Sequence, residues 1–151
     1  MVQDLLKRVW VFAGATYLSA ILSLLPATPG AANGLSVPAD VIAIYESDTV
    51  LVDAYPWPGM TLRVVVQLAS LDVPRSPGLC QTESKLAADA RRFTEREIGS
   101  LISLNGVRDG NDAGSVKANI TTQSGKDLAQ LLTGANFARP HDGGETLGWC
   151  P

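Results

Sequence analysis

The chain is poor in the residues from which most metal and acid–base sites are built. It has one histidine, His141, and two cysteines, Cys80 and Cys150. A lone histidine in the Gly/Pro-rich run Arg139-Pro140-His141-Asp142-Gly143-Gly144 reads as an exposed loop residue rather than a catalytic base. The cysteines are equally short of metal-binding company: no histidine lies near Cys80, and only His141 lies near Cys150. In an oxidising compartment an even pair reads first as a disulfide, here closing a loop of about seventy residues. Two unpaired buried thiols are the other reading.

Basic charge is also scarce. Lys and Arg total 12 against 15 Asp and Glu, a net of −3. Residues 1–32 hold one acidic and two basic side chains, so the remainder carries fourteen against ten, a net of −4. Such a domain has no long-range attraction for nucleic acid, whose binding is dominated by phosphate neutralisation. No internal repeat or low-complexity tract is present, so nothing points to a stacked array.

What is present at the N-terminus is a targeting pattern. Lys7 and Arg8 precede Val9–Leu25, which carries no charge, and Pro26–Ala32 is small and breaker-rich. That is the order of a secretory signal, with Gly30-Ala31-Ala32 as a cleavage site. A retained anchor is the alternative: seventeen helical residues span roughly 25 Å, short of a roughly 30 Å hydrocarbon core unless the bilayer thins. Either way the positive residues stay inside and the rest is exported, to the periplasm or to the periplasmic face of an inner membrane. The expected organisation is 1–32 signal or membrane anchor, 33–40 polar linker, and 41–151 a single folded domain.

Within that domain, Val41–Tyr45 and Thr49–Tyr55 read as paired strands around Glu46–Asp48. Pro56-Trp57-Pro58-Gly59 is a turn, and Thr61–Leu71 is a third strand with Val64-Val65-Val66 buried along much of its length. Thr82–Ile98 is a helix, with Thr82 as N-cap and an apolar stripe of Leu86, Ala87, Ala90, Phe93 and Ile98. Arg91, Arg92, Glu95 and Arg96 fall off the stripe and read as a solvated face. Ser100–Leu104 and Ser115–Thr122 are two further strands, and Asp127–Phe137 is a second helix. The fold class is therefore mainly β with α: a five-stranded OB-type barrel with two helices, preceded by an N-terminal hydrophobic helix. Trp57 and Trp149 read as loop residues packed onto the barrel.

Several short segments share an order and spacing with one family. They are Ser47-Asp48-Thr49, Trp57-Pro58-Gly59, Leu71-Asp72-Val73-Pro74, Cys80 with Glu83, Gly114, and Ala138–Gly144 with Gly148-Trp149-Cys150. Over roughly Val41–Cys150 the chain resembles the staphylococcal-nuclease-like (thermonuclease) domain, particularly its secreted bacterial members. The resemblance implies a calcium-dependent phosphodiesterase ancestry. In active members two aspartates help hold the metal, a glutamate assists the attacking water, and two arginines bind the phosphate.

Carried over residue by residue, the metal aspartates fall on Asp48 and Asp72. The remaining roles fall on unsuitable residues: the first arginine on Gln67, the glutamate on Arg75 and the second arginine on Ser115. Arg63, Lys117 and Arg139 are the cations that would have to substitute, and Arg75 is expected to pair with Asp72. The implied protein is an impaired, nuclease-derived pseudoenzyme acting as a binding or assembly subunit. If residues 9–25 are retained in a membrane, a membrane protein is the expected partner; the cofactor is either none or a calcium ion. The alternative is a working calcium-dependent nuclease on DNA or RNA.

Overall fold

A computed structural model describes residues 35–141, 143–144 and 148–151. The expected N-terminal signal or anchor lies outside the described residues. Five strands close into a barrel: β1 (Ser36–Glu46), β2 (Thr49–Ala54), β3 (Leu62–Leu68), β5 (Leu101–Asp109) and β6 (Ser115–Thr121). Around the barrel their order is β1-β2-β3-β6-β5. All neighbours are antiparallel except β3 and β6, which run parallel. Helix α1 (Gln81–Glu97) lies between β3 and β5 in the chain, and α2 (Leu128–Gly134) follows β6. The two-residue strands β4 (Leu71–Asp72) and β7 (Arg139–Pro140) pair outside the barrel. The architecture is that of an OB-like barrel with two helices.

Side-chain alternation explains the barrel. Val50, Val52 and Ala54 of β2 point inward, as do Val64, Val66 and Leu68 of β3, Ile102 and Leu104 of β5, and Ala118 and Ile120 of β6. A period of two is what a sheet with one buried face requires. On β1 the inward residues are Val37, Ala39 and Val41, then Ile44. The change of phase coincides with the irregularity between Val41 and Ala43, where a bulge bends the strand between its two partners.

Several boundaries differ from expectation. β5 runs to Asp109 rather than ending at Leu104, so its pairing with β6 extends into the segment read as the turn between them. The segment read as a linker contains the first five residues of β1, Ser36–Asp40, paired with β5 through Ser36↔Asn105 to Asp40↔Leu101. Pro38 donates nothing, but its carbonyl accepts from the Tyr55 amide at 2.9 Å, so proline is tolerated in the strand. The third strand is interrupted at Ser70, whose φ of 59° breaks extended geometry and separates β3 from β4. The second helix ends at Gly134 rather than Phe137, and Asn136, at φ 60°, turns the chain back.

Helix α1 also begins differently. Its N-cap is Cys80, not Thr82, and Cys80 makes no side-chain capping bond. Glu83 takes over: its carboxylate accepts the amides of Leu79 at 2.7 Å and Arg75 at 3.3 Å, a reach-back like that of a capping box. Glu83, Ala87, Ala90 and Thr94 form the buried face, with Ile98 just beyond. Phe93 meets Phe137 at 5.3 Å between ring centroids, which packs the end of α1 against the residues after α2.

Gly99 ends α1 at φ 76°, and a Cβ there would sit 2.5 Å from Gln123 Cβ. Gln123 Oε1 accepts the Ser100 amide at 3.0 Å, so displacing it also frees a backbone donor. Gly99→Ala is expected to lower the unfolding free energy by about 1.5 kcal/mol. Urea titration checks this, and an unchanged midpoint would refute it.

Candidate functional site

Asp48 and Ser47 form the two-residue turn between β1 and β2, closed by the register Glu46↔Thr49. Two other elements hold the turn. Thr94 Oγ1 of α1 donates to the Ser47 carbonyl at 2.9 Å, and the Leu68 amide of β3 donates to the Asp48 carbonyl at 2.8 Å. The turn is consequently interior, and Asp48 is only 4% exposed.

A buried carboxylate needs partners, and Asp48 has two. Thr49 Oγ1 donates to Oδ1 at 2.9 Å. Arg75 supplies the rest in a fork, Nη1 to Oδ1 and Nη2 to Oδ2, both at 3.0 Å. Planar guanidinium matches carboxylate in this way, and the paired bonds are stronger than a single neutral one. Arg75 was expected to pair with Asp72; it pairs with Asp48, 27 residues away in sequence.

The loop after β4 aims Arg75. Buried Val73 and Pro74 anchor its approach. Glu83 holds the Arg75 and Leu79 amides, and Ser84 Oγ accepts the Gly78 amide at 2.9 Å. Gly78 leaves no room for a side chain, since a Cβ would lie 2.8 Å from Glu83 Cβ. The Cys80–Cys150 disulfide pins the C-terminal tail to the start of the same helix.

Asp72 is half-buried on β4, opposite Arg139 of β7. It shares with Arg75, Gly78, Glu83 and Trp149 a cleft of about 450 Å³. Among the described residues, no group of three metal-type donors includes Asp48 or Asp72. The one such group is Cys80, Glu83 and Cys150, and two of its donors are disulfide sulfurs rather than thiolates. Asp48 thus has a guanidinium where the resemblance implies a cation.

The other positions are no better furnished. Gln67 lies half-buried on β3 between Thr49 of β2 and Lys117 of β6, beside the Asp48 turn but without charge. Ser115, in register with Val65, is occupied locally: its hydroxyl donates to the Asp112 carbonyl at 2.8 Å and accepts the Asp112 amide at 3.2 Å. Of the substitute cations, Lys117 is next to Gln67 but donates to Asn111 Oδ1 at 2.9 Å. Arg139 stacks on Trp149, with 3.8 Å from guanidinium carbon to ring centroid. Arg63 sits four residues before Gln67, roughly 13 Å along the strand.

Arg63 is held in its own pair, two bonds of 2.8 Å to Asp53. The hydrogen bonds and charge of Arg63 keep the Asp53 carboxyl below the usual carboxylate range. An NMR titration is expected to show Asp53 ionising at lower pH than ordinary aspartates, with Arg63→Gln moving the midpoint up. Because the folded value is depressed, the pair's contribution is present above the unfolded pKa and fades as pH falls through the folded one. The groups are at the surface, so the effect on stability is small.

Other expectations resolve plainly. The charges of α1 are a surface network: Arg91 pairs with Glu95, Arg92 pairs with Asp89, and Arg96 lies over Phe93. His141 is half-buried, and its amide donates to the Ser70 carbonyl at 2.9 Å. Trp149 is half-buried against Arg139 of β7, whereas Trp57, expected to pack onto the barrel, is 67% exposed. Sequence reasoning missed the Thr94–Ser47 tie. The signal was a threonine at the i+4 position after Ala90, on the apolar stripe. A scan against protein-family models finds no match to this chain, and a search of curated proteins finds none.

Proposed function

We propose that the barrel is a thermonuclease-like OB-fold domain that has lost phosphodiesterase chemistry and serves as a binding or assembly subunit of an exported, periplasmic or membrane-tethered protein. One observation carries the reading: the Arg75 guanidinium is bound in a fork to Asp48, the residue that the family resemblance makes a calcium ligand. A fixed cation at 3.0 Å supplies the countercharge that calcium would supply and repels a second cation. The same residue stands where the family places its base, so a guanidinium, which does not deprotonate in proteins, replaces the group that takes a proton from water. Gln67 and Ser115 offer no charge to a phosphate. Losses of a base or of a charge-stabilising donor each cost roughly 10²- to 10⁴-fold and combine non-additively. The disulfide fits an exported domain, since such bonds persist in oxidising compartments.

The test is incubation of the purified protein with single-stranded DNA, with and without calcium. No calcium-dependent cleavage is expected. Parallel assay of the triple variant Gln67→Arg, Arg75→Glu, Ser115→Arg shows whether the barrel still tolerates the missing groups. Calcium-dependent cleavage by the unmodified protein, abolished by Asp48→Ala, would establish the working nuclease instead.

A further inference from the structure

We propose that Cys80, Cys150 and Glu83 become a zinc site when the disulfide is reduced, so that a metal ion takes the place of the covalent bridge between the C-terminal tail and α1. The site is built from other residues than the Asp48 turn and does not rest on the reading of the barrel as a lapsed nuclease.

The three donors are already gathered. The two sulfurs and one carboxylate oxygen of Glu83 all lie within 4.8 Å of one another. Cys150 Sγ is 3.9 Å from Glu83 Oε2. In a tetrahedral site with Zn–S of about 2.3 Å and Zn–O of about 2.1 Å, a sulfur and an oxygen ligand stand roughly 3.6 Å apart. That distance is therefore nearly met before any metal enters. The two sulfurs must part from bonding distance to roughly 3.8 Å. With the Cα atoms 6.0 Å apart, side-chain rotation is enough to do so.

The fold accounts for each donor. Glu83 follows Cys80 by three residues, the spacing that brings side chains to one face at the start of a helix. Cys80 is the N-cap of α1 but makes no side-chain capping bond, so its sulfur is free for a metal once the bridge opens. Glu83 is only 6% exposed, and it accepts the Leu79 amide on Oε2 and the Arg75 amide on Oε1. Each carboxylate oxygen keeps a second lone pair, and the two amides orient the group as outer partners orient a metal ligand. Two thiolates and a carboxylate carry three negative charges, of which zinc cancels two. The remaining negative charge sits at the N-terminus of a 17-residue helix, where it is favoured. The cleft of about 450 Å³ that Glu83, Gly78 and Gly148 line gives water a route to a fourth ligand position. Arg75 lines the same cleft, but its guanidinium is forked to Asp48. Two soft sulfurs with one carboxylate suit zinc, whereas calcium and magnesium take oxygen ligands.

Reduction and binding balance as two steps. A dithiol passes two electrons to the Cys80–Cys150 bond and closes to its own disulfide, leaving two protein thiols. Zinc then binds both thiolates, and the two thiol protons go to solvent. The tail stays pinned to α1, and the carboxylate that holds the Arg75 loop stays in place.

The test uses the full chain, reduced without oxygen by a phosphine, which leaves as the phosphine oxide and brings no thiol to the metal. Zinc is titrated in competition with a chromophoric chelator. The reduced protein is expected to bind one zinc and the oxidised protein none, and zinc should raise the urea midpoint of the reduced protein alone. Glu83→Gln, first shown by its own urea curve to fold when oxidised, should weaken zinc by at least the roughly 10- to 100-fold that loss of an indirect partner costs. Cadmium NMR of the unmodified reduced protein reads the donor set without any variant, and a resonance for mixed sulfur and oxygen coordination is expected. A resonance for sulfur alone overturns the proposal, as does undiminished affinity in a folded Glu83→Gln. Failure of the reduced protein to bind zinc, or equal binding by the oxidised protein, overturns it as well.

Discussion

Replacing Cys80 and Cys150 by alanine is expected to lower the unfolding free energy by about 4 kcal/mol, the largest loss from any change at the site. The bridge joins residues 70 apart, and chain-entropy arguments value a loop of that length at roughly 4 kcal/mol. The native state loses contacts as well. The bridge holds the tail carrying Trp149 against the start of α1, where Cys80 is the N-cap and Cys150 Sγ lies 3.9 Å from Glu83 Oε2. Freed of the bridge, the tail no longer shields Glu83, whose carboxylate holds the loop that aims Arg75. Urea titrations of the oxidised protein and the double-alanine variant measure the difference. For a domain whose total stability is on the order of 5–15 kcal/mol, the loss is enough to move the midpoint far toward zero denaturant. A loss under about 1 kcal/mol would mean that the unfolded chain is already compact in this region.

The reach of the sequence follows the range of the interactions. β2 and β3 were legible because inward and outward residues alternate locally, as in Val50, Val52 and Ala54. The α1 stripe was legible for the same reason, and the disulfide from the even number of cysteines together with the export expected from the N-terminal pattern. The start of β1 was not. Ser36–Asp40 is short, has only Val37 and Ala39 as inward apolar residues and contains proline, and its pairing with β5, more than sixty residues later, makes it strand. The partner of Arg75 was hidden likewise. Asp72 is three residues away and Asp48 is 27, so local spacing favoured the wrong carboxylate. The exposure of Trp57 depends on what the rest of the fold brings near its turn, which no local pattern encodes.

Arg75→Ala is expected to cost about 2–3 kcal/mol at neutral pH. Removing one partner of a fully buried ion pair costs roughly 3–5 kcal/mol, because the remaining charge is left uncompensated. Here only Asp48 is buried, at 6% side-chain exposure; Arg75 is 53% exposed, so water screens the pair and reduces the figure. A second change separates charge from packing. If Asp48 is destabilising once unpaired, Asp48→Asn added to Arg75→Ala should recover part of the loss, since a neutral amide costs less to bury than a carboxylate. The double-mutant cycle then gives a coupling on the order of 1–3 kcal/mol. Costs that simply add would show that the fork seen between the two side chains contributes nothing. Calcium gives an independent readout. Millimolar calcium should leave the melting temperature of the unmodified protein where it is, because Arg75 already neutralises Asp48. In Arg75→Ala the carboxylate is open, and any cation that binds the folded state raises the melting temperature by mass action. A calcium-dependent rise in the unmodified protein would mean that the cation displaces Arg75, and the guanidinium would then be a removable cover on a metal site rather than its replacement.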